Sequence, residues 1–268
     1  MGPASQQHLV ATRRMSTIAL IALSCSGLLF AMGVGGGVQC WRARDIGARE
    51  FDGFRQVRIK TIQAQLDQVE GPYIVIMGDS HAERLYLPSL CGLPVVNAGM
   101  SGATVSDVLD LSRAITPRHK ADALLLSVGT NDIWAKRLPE TDHAEDAFQK
   151  GLAALKSRLR MWSDRRALVA IPPVASGEIS QFPRSAAERY SGMLARSCEP
   201  ESCVYLDLFA GAQRPAGARS AFSDGVHLRN YAGFVRSRER ELCVGLGLKP
   251  GIATLSQRRG TSSLSAEF

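Results

Sequence analysis

One short apolar stretch, from Tyr73 to Met77, constrains the fold more than any other part of the chain. It is rich in β-forming residues and lacks polar alternation, which is the pattern of a strand buried on both faces of a sheet. It ends abruptly at the motif Gly78-Asp79-Ser80-His81. A hydroxyl residue on a glycine-led turn at the carboxyl end of such a strand lies where open α/β sheets bind ligands. The motif also suits a helix start, because Asp79 and Ser80 are both good N-caps.

Apolar strands and helical stripes alternate along the rest of the chain. Further strands are predicted at Pro94–Asn97, Ala123–Val128, Ala167–Ile171 and Cys203–Leu208. The helices predicted between and after them are one capped by Thr104, one from Ala144 to Trp162, one through Tyr190, and a last one from about Arg229 to Leu242. This alternation predicts an α/β fold with a mainly parallel, five-stranded sheet that helices cover on both faces.

The N-terminal part of the chain is expected to hold it at a membrane. The uncharged run Ser16–Val38 follows Arg13-Arg14, is long enough to cross a hydrocarbon core of ~30 Å, and is not followed by an A-x-A-like cleavage site. We expect the globular domain on the periplasmic side. The expected segments are a basic tail at 1–15, a transmembrane signal anchor at 16–38, a juxtamembrane linker with an amphipathic helix at 39–70, the globular domain at 71–247 and a disordered tail at 248–268.

Charge and cysteine content narrow the classes of partner. The net charge of +7 comes mostly from the ends of the chain, so no basic stripe of the kind that binds nucleic acid is predicted. Cys198 and Cys203 bracket a turn-like loop that a disulfide could close in an oxidising compartment. The pairing among Cys40, Cys91, Cys198, Cys203 and Cys243 stays open, and no cysteine spacing is typical of a zinc site.

Polar loops follow three of the other predicted strands, at Asn97–Gly102, Gly129–Asp132 and Ser223–Leu228. Turn chemistry explains any one of them, because Gly, Asn and Asp dominate loops. Together with the motif around Ser80 they make four loops, each after a strand, and this favours one shared site at the carboxyl edge of the sheet.

The side chains of these loops form a chemically complete set. The Ser80 hydroxyl becomes a strong nucleophile only when a base takes its proton, and His227 is the candidate base. Asp224, three residues before His227, is the candidate carboxylate that orients the imidazole and stabilises the imidazolium. The N–H groups of Ser80 and Gly102 and the side-chain amide of Asn131 are candidate donors to an oxyanion.

The blocks GDSH, AGMSG, GTND and DGVHL, in this order, resemble the four signature blocks of the SGNH (GDSL-type) hydrolase family. The resemblance extends over about Tyr73 to Gly245. It implies a flavodoxin-like three-layer α/β/α sandwich that needs no metal and no cofactor. The site residues it implies are a catalytic triad of Ser80, Asp224 and His227 and an oxyanion hole of Ser80, Gly102 and Asn131.

This resemblance makes a serine esterase the expected function. His81 stands where the commoner form of the family has Leu, and in this it is similar to the SGNH domains of envelope polysaccharide acetylation systems. We therefore expect cleavage of O-acyl esters, in particular O-acetyl esters on cell-envelope glycans, through an acyl-serine intermediate. An O-acyltransferase acting on an extracytoplasmic polysaccharide is the alternative, because a sugar hydroxyl can attack the same intermediate. A non-catalytic glycan-binding domain is less favoured, because a binder has no use for a base and its orienter.

Two other enzyme classes fit the motifs less well. The α/β-hydrolase elbow G-x-S-x-G would need a glycine where this chain has Ala82. The pair Asp79 and His81 resembles the first ligands of binuclear metallophosphoesterases. Such a site needs several more Asp, Asn and His ligands, and no His follows Gly129–Asp132 closely enough to supply one.

Overall fold

The computed structural model of the chain describes residues 51–175, 181–199, 203–212 and 221–250. The predicted anchor at 16–38 and most of the predicted tail at 248–268 lie outside these residues. The chain divides into two compact units, 1–57 and 58–268. In the first unit, residues 51–57 are helical. None of the helices in the described ranges combines the length and the apolar character that crossing a membrane requires.

A six-stranded sheet forms the centre of the second unit. Its strands in chain order are β1 (Ile74–Gly78), β2 (Ser89–Leu90), β3 (Leu93–Gly99), β4 (Ala123–Ser127), β5 (Arg166–Val169) and β6 (Cys203–Leu206). Their spatial order is β2-β3-β1-β4-β5-β6, and every neighbouring pair is parallel except β2 and β3. The chain runs from β1 to one side first and to the other side later, so the strand order reverses at the carboxyl end of β1. Ligands bind at such a point in open α/β sheets.

The expected count of five strands was wrong, because the sheet also contains the short strand β2. The five strands predicted from apolar runs are confirmed. Ser89–Leu90 pairs antiparallel with the start of β3 across a turn at Cys91 and Gly92. Both turn residues have positive φ, 52° and 77°, as a two-residue type I′ hairpin requires. A strand of two residues carries no periodicity, so no sequence pattern could reveal it.

Helices lie on both faces of this sheet. Residues 58–68 form α1. The described ranges also contain α2 (Ser80–Glu83), α3 (Val105–Ala114), α4 (Asp142–Leu159), α5 (Arg184–Ser197), α6 (Tyr231–Ser237) and α7 (Glu239–Gly245), and a 3₁₀ turn at Ala135–Arg137.

The last predicted helix, from about Arg229 to Leu242, is in fact two helices. At Arg238 the backbone leaves the helical range (φ −113°, ψ 6°), so α6 ends there and α7 begins. The direction of α7 is fixed by a disulfide from Cys243 to Cys91 and by Glu239, whose carboxylate accepts the N–H of Cys91 at 2.9 Å. An apolar stripe that continues through both helices hides such a break from sequence analysis.

Two apolar layers fill the space between the sheet and its helices. Alternate residues of β1 face opposite sides, so Val75 and Met77 pack with α1, α3, α4 and α5, whereas Ile74 and Ile76 pack with α6 and α7. The helix predicted before the domain contributes Ile62, which is fully buried in the first layer. β1 and β4 are buried along their whole length, as their continuous apolar runs predict.

Two disulfides join parts of the described chain. Cys198 is bonded to Cys203, which confirms that a disulfide closes the turn-like loop between them. Cys91 is bonded to Cys243 across a sequence separation of 152 residues and so ties the β2–β3 turn to α7.

Candidate active site

The end of β1 places Ser80 at the carboxyl edge of the sheet. Gly78 has φ of 153°, and a Cβ atom on it would lie 1.8 Å from the carbonyl oxygen of Ser127, so only glycine fits there. Asp79 caps α2 by accepting the N–H of His81 at 2.9 Å, and Ser80 is the first residue of that helix. The helix-start interpretation and the nucleophile interpretation of this motif are therefore compatible.

A chain of hydrogen bonds joins Ser80 to two residues of the loop before α6. The Oγ atom of Ser80 lies 2.8 Å from Nε2 of His227, and Nδ1 of His227 lies 2.7 Å from Oδ2 of Asp224. The other carboxylate oxygen, Oδ1, accepts the backbone N–H of His227 at 2.8 Å and that of Val226 at 3.1 Å. The loop therefore bends back on itself, which is how a spacing of three residues brings the carboxylate to the imidazole.

Asp224 remains ionised over a wide pH range. Its partial burial opposes the charge, but the hydrogen bonds from the backbone and ring of His227 and from the Val226 N–H outweigh it and hold the pKa of Asp224 at about 2. The guanidinium of Arg84 lies 3.7 Å from Oδ2. At neutral pH the carboxylate is thus available to orient the imidazole and to stabilise a positive charge on it.

A cavity of about 240 Å³ opens beside Ser80 and His227, and Gly102 and Asn131 line it as well. Gly102 adopts φ of +78°, a conformation that favours glycine and lets its backbone border the cavity closely. The Nδ2 atom of Asn131 donates to the carbonyl oxygen of Ala103 at 2.9 Å, which fixes the amide group. Among the described residues, no acceptor bonds to the N–H of Ser80 or of Gly102. The five residues predicted from the sequence thus border one cavity.

Three residues to which sequence analysis gave no role hold α2 and the Gly102 loop in place. Asn97 donates from Nδ2 to the carbonyl oxygens of Ala82, Glu83 and Leu85, at 2.9, 3.2 and 3.1 Å. Glu83 accepts the N–H of Ser101 at 2.5 Å. The third, Arg58, donates to the carbonyl oxygens of Gly99 and Asn97 at 2.7 and 2.9 Å. Asn97 lies in a loop block that the sequence did single out, but its bonding partners are set by packing.

Asp79 and His81 are both buried behind Ser80. Burial raises the pKa of Asp79 to about 7, against the opposing effect of the N–H groups of His81 and Thr130 that its oxygens accept. Burial lowers the pKa of His81 to about 3, and the charges of His227 and Arg84 act in the same direction. At neutral pH His81 is therefore an uncharged imidazole.

The binuclear metal interpretation finds no support in the surroundings of this pair. Both carboxylate oxygens of Asp79 accept backbone N–H groups, so its lone pairs are partly engaged. Within 51–175, 181–199, 203–212 and 221–250, no three His, Cys, Asp or Glu side chains are grouped as metal ligands would be.

Comparison with known proteins identifies the family of the chain. Residues 62–231 match the model of the GDSL-like lipase/acylhydrolase family. The chain belongs to this family. As a GDSL-like lipase/acylhydrolase it is a carboxylic ester hydrolase. The match includes Ser80, Gly102, Asn131, Asp224 and His227.

Solved structures share the fold of this GDSL-like acylhydrolase at low sequence identity. A protein of Streptococcus pneumonia described as a platelet activating factor has a TM-score of 0.56 and 21% identity, over 74% of this chain and 98% of that chain. A lipase/acylhydrolase of Enterococcus faecalis has a TM-score of 0.53 and 21% identity, over 68% and 100%. A carbohydrate acetylesterase family member of Sinorhizobium meliloti has a TM-score of 0.51 and 16% identity, over 66% and 100%. No curated protein matches the chain significantly.

Proposed function

We propose that this acylhydrolase is a serine esterase that removes O-acetyl groups through a covalent acyl-Ser80 intermediate. The observation that carries the proposal is the hydrogen-bonded series from Oγ of Ser80 through His227 to Asp224, with distances of 2.8 and 2.7 Å. Distances in this range are those that a nucleophile, its base and an orienting carboxylate require.

The first half of the reaction forms the acyl-enzyme. Nε2 of His227 takes the proton of Ser80 as Oγ attacks the ester carbonyl carbon. The carbonyl oxygen becomes an oxyanion, which accepts hydrogen bonds from the N–H groups of Ser80 and Gly102 and from the Asn131 amide. Asp224 stabilises the imidazolium. When the tetrahedral intermediate collapses, the bond to the leaving oxygen breaks, and the imidazolium gives its proton to the departing alcohol.

The second half restores the enzyme. His227 takes a proton from a water molecule, whose oxygen attacks the carbonyl carbon of the acyl-Ser80 ester. The same donors stabilise the second oxyanion, and the imidazolium then returns the proton to Oγ of Ser80 as the acid leaves. One ester and one water give one alcohol and one carboxylic acid.

The dimensions of the site favour a short acyl group. The cavity beside Ser80 measures about 240 Å³, below the roughly 300–1,000 Å³ typical of sites for drug-sized ligands. An acetyl group fits this space, whereas a long fatty-acyl chain would have to leave it.

A second cavity supports a glycan as the alcohol part of the ester. It measures about 450 Å³ and lies at the carboxyl ends of β5 and β6, the same edge of the sheet as Ser80. The polar side chains that line it include Ser191, Tyr205 and Asp207, which suit sugar hydroxyls. We assign the remainder of an acetylated polysaccharide to this cavity.

Two disulfides support a location outside the cytoplasm, because such bonds persist in oxidising compartments. With residues 16–38 as a membrane anchor, the catalytic domain would face cell-envelope glycans on the periplasmic side.

The test uses full-length protein and an activated acetyl ester such as 4-nitrophenyl acetate. Ser80→Ala should nearly abolish turnover and labelling by a fluorophosphonate, whose attachment should map to the peptide that contains Ser80. Ser112→Ala is the matched control, because Ser112 is a buried serine that bonds to Leu109 within α3. Wild-type turnover by Ser80→Ala would overturn the proposal. Products formed from an acetylated glycan, with and without an unacetylated acceptor glycan, distinguish release to water from transfer to sugar.

A further inference from the structure

A second connection between α2 and the His227 loop lies behind the proposed triad. His81 directly follows Ser80, and Leu228 directly follows His227. Nδ1 of His81 lies 2.7 Å from the hydroxyl oxygen of Tyr231, and the same oxygen accepts the N–H of Leu228 at 3.2 Å. Two neighbouring residues of α2 are therefore linked to two neighbouring residues of the loop, once on the cavity side and once on the buried side.

The donors and acceptors of this buried link can be assigned from its chemistry. The Tyr231 oxygen accepts from the backbone N–H of Leu228, so its own proton is available to Nδ1 of His81. Burial raises the pKa of the Tyr231 phenol above its usual range, so the phenol keeps this proton. Since His81 is uncharged at neutral pH, its Nδ1 is free to accept and its ring proton lies on Nε2.

A buried histidine at position 81 indicates that its hydrogen bond to Tyr231 contributes to the structure. Nε2 of His81 is buried and has no hydrogen-bond partner among the described residues. A buried polar atom without a partner costs free energy that a leucine at this position would not cost. The hydrogen bond that the ring makes to Tyr231 offsets this cost.

The other bonds of the loop leave its distance from α2 less well determined. The ion pair of Asp224 with Arg84, the residue that ends α2, spans 3.7 Å between two half-exposed side chains, so solvent screens it and it is a weak tether. Asp224 fixes the imidazole within the loop, and Ser223 donates its N–H and its hydroxyl to the carbonyl oxygen of His227 at 2.7 and 3.1 Å. These bonds set the internal shape of the loop. The N–H of Ala175 donates to the carbonyl oxygen of Gly225 at 2.8 Å and so anchors the loop to the segment after β5, not to α2.

We propose that His81 and Tyr231 are positioning residues, which hold the His227 loop at the distance from α2 that keeps Oγ of Ser80 bonded to Nε2 of His227. This inference rests on the proposed function. Neither side chain lines the cavity beside Ser80, so both act through His227 and not on the substrate.

The experiment compares Tyr231→Phe, His81→Leu and the double variant in full-length protein with 4-nitrophenyl acetate. Each single variant should lower kcat by about ten- to a hundredfold, because a small displacement of a catalytic group is costly. KM should stay within about twofold of wild type, since the cavity itself is unchanged. The double variant should lose no more than the more impaired single variant, because both substitutions break the same link.

A rescue variant and a control separate positioning from a loss of stability. His81→Asn should keep most of the activity, because its amide oxygen can accept the Tyr231 proton near the position of Nδ1. Tyr190→Phe removes another buried hydroxyl, which donates to the carbonyl oxygen of Pro139 at 3.0 Å, far from the triad in sequence and contact. It should lower Tm in the way that Tyr231→Phe does but leave kcat unchanged.

The outcomes distinguish this inference from the proposed function. If Ser80→Ala is inactive while Tyr231→Phe folds and keeps wild-type kcat, the positioning role is wrong and the esterase proposal stands. A double variant whose loss equals the product of the single losses would also overturn the shared link. If Ser80→Ala retains wild-type turnover, the proposed function itself fails.

Discussion

Asn131 lines the cavity beside Ser80, and its Nδ2 donates one proton to the carbonyl oxygen of Ala103, which leaves a second amide proton. In the proposed mechanism that second proton stabilises the oxyanion. Asn131→Ala should therefore lower kcat by about 10²–10³-fold, or roughly 3–4 kcal/mol of transition-state stabilisation, with a smaller effect on KM. Steady-state kinetics with 4-nitrophenyl acetate measures the loss.

A control for Asn131 is available in α1. Gln63 also bonds the backbone through its amide, at Thr116, but it is only half-buried and lies outside the cavity. Gln63→Ala should leave kcat unchanged. A loss below tenfold in Asn131→Ala would mean that its amide does not face the developing charge.

The buried carboxyl of Asp79 gives the protein a defined pH dependence of stability. Because its pKa is raised from 3.8 to about 7, the folded protein holds a proton between about pH 4 and pH 7 that the unfolded chain releases. The contribution of Asp79 to the free energy of unfolding should therefore fall as pH rises through this range, by up to about 4 kcal/mol. His81, whose pKa burial lowers from 6.5 to about 3, contributes in the opposite sense up to about pH 6.5. Urea unfolding of wild type and Asp79→Asn at several pH values isolates this contribution, because the fall should appear in the difference between their slopes.

Asp146→Asn is the matched control for this slope, because Asp146 is exposed on α4 and pairs with Lys150. It should keep the slope of wild type. If Asp79→Asn also kept it, another group would be responsible for the pH dependence.

At the scale of single residues, sequence analysis predicted the side chains of the proposed triad and missed the residues that bond to their surroundings. Ser80, Asp224 and His227 stand in recognisable motifs, and the structure brings them within hydrogen-bonding distance. Tyr231 and Asn97 act through partners remote in sequence, at positions 81 and 82–85. Such partners follow from the packing of elements, which one sequence does not reveal.

At the scale of elements, α2, the helix that begins at Ser80, lies very close to the sheet. A Cβ atom added at Gly99, the last residue of β3, would lie 2.1 Å from the backbone nitrogen of Glu83 in α2. Gly99→Ala should push α2 away, lower the free energy of unfolding by about 1–3 kcal/mol and reduce kcat through displacement of Ser80. Urea unfolding and esterase assays measure the two effects.

Gly53→Ala is the control for this substitution, because a Cβ atom added at Gly53 would have no atom of another part of the chain within 4 Å. Gly53→Ala should preserve stability and activity. Normal kcat in Gly99→Ala would show that α2 can shift without moving the Ser80 hydroxyl.

Elements with strong periodicity were predicted well, and short ones were not. The apolar run of β4 and the helical stripe of α4 both appear within a few residues of their predicted bounds. β2 was not predicted because two residues carry no periodic pattern. The break between α6 and α7 is fixed by the disulfide of Cys243 with Cys91 and by the hydrogen bond from the Cys91 N–H to Glu239. Long-range bonds decide such details.

At the scale of the whole molecule, the two disulfides should differ in their contribution to stability. In the chain-entropy model, a crosslink across 152 residues is worth about 5 kcal/mol and one across 5 residues about 2 kcal/mol. The pair Cys91→Ala and Cys243→Ala should therefore lower the free energy of unfolding more than the pair Cys198→Ala and Cys203→Ala. Urea unfolding without reductant measures both.

Wild-type protein treated with a reductant provides the reference for these variants, since it loses both crosslinks without any substitution. Its loss in the free energy of unfolding should approach the sum of the losses of the two double variants. A larger loss from the short crosslink than from the long one would contradict the entropy account.

The class of fold was predictable for the whole molecule, whereas the spatial order of the strands in the sheet was not. Alternating apolar strands and helices indicated a parallel sheet covered on both faces, and the two apolar layers agree. The spatial order of the strands depends on which crossovers pack, and periodicity along the chain does not contain it.

The two-residue strand β2 has a consequence for how copies of this protein meet. A long, bare outer strand displays unpaired backbone groups on which a strand of another molecule can build. Here Ser89 and Leu90 pair with the first residues of β3, and the chain leaves the edge of the sheet after these two residues. At the β2 edge of the sheet, the protein therefore leaves few unpaired backbone groups on which another copy could add a strand, even at high concentration.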